Sequence, residues 1–100
     1  MKSQLLYLIQ VVIDLLVDCG WEDKAGWFSE YKDKLEGAEQ GSNQFYELLN
    51  ELDGVLSGIG SFSDLPLRDK TGRRSEQEVR NIQWDLAEKL GDSVERIRKS

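Results

Sequence analysis

Gly58-Ile59-Gly60-Ser61-Phe62-Ser63-Asp64-Leu65-Pro66-Leu67 is where the pattern of the chain changes. Two glycines one residue apart, two serines flanking an aromatic and then an aspartate cannot carry a helical stripe, because Gly and Ser favour caps and turns. Upstream lie three amphipathic segments, and downstream from Ser75 there is one long one. The stretch therefore joins helices. The expected fold is all-α: a four-helix, mostly antiparallel bundle with one long structured loop between helices 3 and 4.

Working back from the stretch, Phe45, Leu48, Leu49, Leu52, Val55, Leu56 and Ile59 recur at helical spacing, and Ser42 or Asn43 starts that helix, read as 43–57. A second helix, about 22–36, opens on Glu22 and Asp23 at its positive end and stops before Gly37. Its inner face is Trp21, Ala25, Phe28, Tyr31 and Leu35, with Trp27 at the edge, and Glu30 and Lys34 stand four apart in the favourable order. The first helix, about 3–18, repeats Leu5, Leu8, Ile9, Val12, Ile13 and Leu16 and adds Leu6, Leu15 and Val17 off that stripe. A helix apolar over most of its circumference packs on two sides. Gly20 supplies a left-handed end.

Working forward, Phe62, Leu65 and Leu67 can tuck back onto the core, and Pro66 pushes Leu65 towards an extended backbone. The loop, 58–75, is long against the usual helix-to-helix connection of about 2–8 residues. Asp69 to Gly72 suits a turn, so the alternative is a small hairpin over 64–74 on the side of the bundle. Ser75 and Glu78 form a capping box, and Val79, Ile82, Leu86, Leu90, Val94 and Ile97 mark a helix over 76–99 that Gly91 can bend or restart. The whole, 1–100, reads as one helical domain with a single core.

Charge narrows the function. The chain carries 13 Lys and Arg against 19 Asp and Glu, net −6. Residues 1–67 hold 12 acids and 4 bases, whereas 68–100 hold 7 acids and 9 bases. Between Lys34 and Arg68 there is no base, but Glu36, Glu39, Glu47, Glu51, Asp53 and Asp64 all fall there. Phosphate affinity needs clustered cations, so nucleic acid is not the expected partner; a basic protein is. Thirteen apolar-rich residues, Leu5 to Val17, interrupted by Gln10 and Asp14, are too few to span a bilayer and make a poor leader, so no membrane partner is expected. One cysteine and no histidine point to a reduced cytoplasmic setting.

No catalytic constellation stands out. Gly58-Ile59-Gly60-Ser61 lacks the lysine of a nucleotide loop and follows a helix; a glycine cap with Ser61 or Ser63 capping a short turn explains it better. Glu47 with Glu51, and Asp14 with Asp18, are solvated faces rather than metal or acid/base pairs, and no cofactor is expected. Cys19 has no histidine to activate it and reads as a small buried hydrophobe. Trp27 and Trp84 lie at stripe edges, where a half-exposed ring anchors a partner or covers a neighbouring helix. Arg68, Lys70, Arg73 and Arg74 form a basic loop, solvated or paired with the acidic third helix or another subunit.

The Gly58-Ile59-Gly60-Ser61-Phe62-Ser63-Asp64-Leu65 segment, the leucine-rich helix before it, the Trp27-Phe28 pair and Trp84-Asp85-Leu86-Ala87-Glu88 together resemble a family of small bacterial helical proteins with a Gly-x-Gly-Ser-aromatic-Asn-Asp-Leu core. Ser63 stands where that family usually has Asn, and Pro66 interrupts the strand-like residues after that segment. Its members resemble immunity proteins of bacterial toxin systems, including contact-dependent growth inhibition. The resemblance implies a cytoplasmic, non-catalytic protein that binds and neutralises one cognate toxin domain, and basic nucleases are common among such toxins. The expected partner-binding residues are Glu36, Glu39, Glu47, Glu51, Asp53 and Asp64, with Trp27 or Tyr46 as hydrophobic anchor. The competing reading is a helical adaptor or self-associating structural protein.

Overall fold

The computed structural model describes residues 2–56 and 62–99. The fold is all-helical, with four α-helices, and no strand occurs among the described residues, so the hairpin alternative is discarded. Helix α1 is Lys2–Asp18, α2 is Glu22–Gly37, α3 is Asn43–Leu56 and α4 is Glu76–Lys99, with a 3-10 turn at Phe62–Asp64. The readings placed on Gly58, Ile59, Gly60 and Ser61, and on the side chains of Leu56 and Ser63, lie outside the described residues.

Long-range bonds fix how the helices meet. Lys2 Nζ at the start of α1 donates to the carbonyls of Glu36 and Ala38 at the end of α2, a cation meeting a negative helix terminus. Tyr31 of α2 bonds Leu48 of α3. Arg98, near the end of α4, pairs with Asp53 of α3 at 3.5 Å. Arg74, just before α4, reaches Asp18 at the end of α1 at 3.2 Å. Helix α1 thus runs against both α2 and α4 and packs on both, as its wide apolar surface requires, while the end of α3 meets the end of α4.

The core is the apolar stripe of each helix: Leu5, Ile9, Val12 and Leu16 of α1, Phe28 and Leu35 of α2, Phe45, Leu49 and Leu52 of α3, and Val79, Leu90 and Val94 of α4 are all buried. Phe62 and Leu67 of the connection join them, with Leu65 packed against the cluster. Their anchor is Gln83, a buried amide on the inner face of α4, which donates to the carbonyls of Phe62 at 2.7 Å and Leu65 at 2.9 Å.

Local chemistry explains the ends. Gly20 takes φ +81, a left-handed conformation after α1. The Ser42 hydroxyl accepts from the Phe45 amide, so Ser42 and not Asn43 caps α3. Ser75 Oγ accepts from the Glu78 amide while Glu78 Oε1 accepts from the Ser75 amide, a reciprocal capping box. Two expectations change. Helix α2 runs through Gly37 and closes on Ala38, whose amide bonds the Leu35 carbonyl, because Lys2 supplies the cap a left-handed glycine would have given. Helix α4 is continuous through Gly91, since Leu90 and Val94 on either side are buried and hold it there.

Candidate functional site

The face between α2 and α3 begins with Tyr31. Its position on the inner stripe buries the ring, and its hydroxyl donates to the Leu48 carbonyl at 2.6 Å. Burial, reinforced by the nearby Glu51 carboxylate, raises the Tyr31 pKa well above the usual phenol range. Trp27, one turn earlier, is half-buried and stacks on the Tyr31 ring at 5.4 Å and 15°, with its edge set against Phe28 at 5.0 Å. Trp27, Glu30, Tyr31, Lys34 and Glu51 line a depression of about 20 Å³. That space holds about one water molecule, too little for a small-molecule substrate.

The expected partner-binding residues divide around this face. Glu51 lies on it, and Glu47 stands one turn away on the same side of α3. Both are exposed, as is Glu39 in the α2–α3 connection, and none of the three is in an ion pair among the described residues. Glu36 is exposed but paired with Lys32 at 3.1 Å; Glu30 and Lys34, expected as a pair, instead line the depression. Asp53 lies on the opposite flank of α3, where Arg98 binds it and also Asn50. The absence of any base between Lys34 and Arg68 therefore does not leave Asp53 unpaired: its cation comes from α4, which sequence spacing along α3 cannot reveal. Tyr46, 37% exposed, sets its ring edge against Phe45. Asp64, exposed, belongs to the 3-10 turn.

Two other expectations are corrected. Trp21 is half-buried at the α1–α2 turn rather than in the core, because α2 begins after it. The basic loop does not pair with α3. It clasps the end of α1: Arg73 and Arg74 both reach Asp18, Arg74 also reaches Asp69, and the Lys70 amide donates to the Asp18 carbonyl at 2.8 Å. Arg68 pairs with Glu76. Asp69 is the hub, its carboxylate accepting from the Thr71 amide and hydroxyl. Those Thr71 bonds, opposed by desolvation and helped by Arg74, hold the Asp69 pKa below its ordinary value. Cys19 sits beneath the clasp, and burial, with Asp69 and Asp18 adding to it, raises its pKa. An inert buried thiol is the result.

Among the described residues no group of three Cys, Asp or Glu is arranged to hold a metal. None of the helices is long and apolar enough to cross a membrane. The sequence reading missed Gln83, the Tyr31 hydroxyl and the Asp18–Asp69–Arg74 clasp. Gln83 alone left a signal, a polar residue four after Val79 on the inner stripe. Family models, curated proteins and solved structures give no match to this chain.

Proposed function

We propose that the chain is an immunity protein, a non-catalytic cytoplasmic domain that binds a basic bacterial toxin domain, such as a nuclease, and blocks it through its acidic side. The observation that carries the reading is the unneutralised surface beside an aromatic anchor. Glu39, Glu47 and Glu51 are exposed without an ion-pair partner among the described residues, and Glu51 adjoins the half-buried Trp27. A potential of one sign accelerates encounter with a basic cleft, and a stacked, rigid tryptophan gives the bound state apolar contact. Glu36, Asp64 and Tyr46 belong to the rim of such a contact, where charges tune association more than final affinity, and Asp53, bound by Arg98 on the opposite flank of α3, lies outside it.

The test is the double charge reversal Glu47→Lys/Glu51→Lys against the purified toxin domain. Association slows by about tenfold or more at low salt, and its dependence on ionic strength flattens. Unchanged affinity with unchanged salt dependence refutes the assignment of these residues. A self-associating adaptor is the second reading, favoured by Tyr7 and Trp84, which are 68% and 59% exposed. Sedimentation as a monomer at high concentration removes it.

A further inference from the structure

At the α1–α2 turn, the other end of α2 from Glu36 and Glu39, an open cleft of about 360 Å³ is lined by Cys19, Gly20, Trp21, Pro66, Arg68 and Lys70. Its size is that of a small-ligand site, its walls are largely apolar, and its two charged lining residues are both cations. We propose that this cleft binds a small organic anion with a flat apolar body, in its simplest form an aryl carboxylate, the carboxylate held by Lys70 and Arg68 and the body lying against Trp21 and Pro66.

Lys70 is held in place while its ammonium group stays uncommitted. Its amide is fixed to the Asp18 carbonyl, and its stem lies across Gly20, where a Cβ would stand 3.4 Å from Lys70 Cγ and Cε. The ammonium group has no carboxylate within ion-pair distance among the described residues; Asp18 and Asp69 are taken up by Arg73, Arg74 and Thr71. Arg68 is paired through Nε with Glu76 at 2.9 Å, and a guanidinium held that way still has terminal N–H groups to offer a carboxylate. Trp21 is half-buried, packed against the core while lining the cleft, so its indole supplies the aromatic wall. Glu22 and Asp23 follow Trp21 directly, and their charges disfavour a doubly charged phosphate against a single carboxylate.

Amide and indole NMR titration of the full chain with benzoate, benzamide and inorganic phosphate tests the proposal, with Trp21→Phe assigning the indole signal. Benzoate produces saturable shifts at Gly20, Trp21 and Lys70, and benzamide and phosphate bind at least about tenfold more weakly, the scale of losing one charge-assisted contact. Arg68→Gln/Lys70→Gln weakens benzoate by a similar factor. Lys70→Met alone, which keeps the backbone bond to Asp18, also weakens it if the double variant loses its native spectrum. Scattered or non-saturating shifts, benzamide or phosphate equal to benzoate, or binding unaffected by the Lys70 variant overturns the proposal.

Discussion

Replacing Gln83 by Met tests how the long connection is held. The side chains are similar in volume, so the core keeps its packing, but the amide that donates to the Phe62 and Leu65 carbonyls is gone. Each carbonyl retains one backbone bond, from the Leu65 and Leu67 amides respectively, so neither is fully orphaned. One buried and one part-buried hydrogen bond at about 1 kcal/mol each give a cost of about 2 kcal/mol. In a domain of this size that lowers the melting temperature by about 8–16 °C, read from far-ultraviolet circular dichroism with urea titration alongside. Coupling to the loop is expected as well. If Gln83 seats Phe62, then Phe62→Ala costs less in the Gln83→Met background, and the double-mutant cycle shows at least about 0.5 kcal/mol of interaction. A loss under about 0.5 kcal/mol for Gln83→Met, or strict additivity with Phe62→Ala, refutes this account of the loop.

Tyr31→Phe removes the bond to Leu48 and costs about 1 kcal/mol in urea unfolding. Because the folded-state pKa of Tyr31 is raised, its contribution is complete below the unfolded value of about 10 and declines as pH rises above it; Tyr31→Phe therefore narrows its stability gap to wild type in alkali. Asp69 has the opposite sign: its pKa is lowered by the Thr71 and Arg74 bonds, so its stabilisation is present above the unfolded value of about 3.9 and disappears on acidification below it. Asp69→Asn is accordingly destabilised at neutral pH and approaches wild type in acid, measured by urea midpoints across the pH range. Gly20→Ala places a side chain at φ +81, against the Lys70 stem, and costs about 1–2 kcal/mol in the same assay.

The helices were legible in the sequence because their apolar spacing has one dominant solution. The six buried residues of α1 include five of its stripe, and the single off-stripe addition, Leu15, is what a helix packed on two sides buries. Caps at Gly20, Ser42 and Ser75 were legible because they act over three or four residues of local chain. Ion pairing across the fold was not. Arg98 lies 45 positions from Asp53 and Arg74 lies 56 from Asp18, and no local pattern encodes such distances. That is why the acidic stretch looked uniformly unpaired: Asp53 is neutralised by α4, whereas Glu47 and Glu51, on the α2 side, are not. Trp27 as a half-exposed edge residue was readable from its place beside Phe28, but its stacking on Tyr31 depended on the rotamers of the finished core.

The central claim is that the unpaired acidic side serves a basic protein partner, and its most direct measurement is capture of the tagged chain from its native host with the neighbouring genes intact. Elution is stepped in salt and followed by mass spectrometry. The account predicts one basic polypeptide, encoded beside this chain, retained at low salt, released only by high salt or denaturant, and lost when Glu47→Lys/Glu51→Lys is the bait. Recovery of the chain alone as a defined oligomer, or of a partner equally retained by the charge-reversed bait, contradicts it.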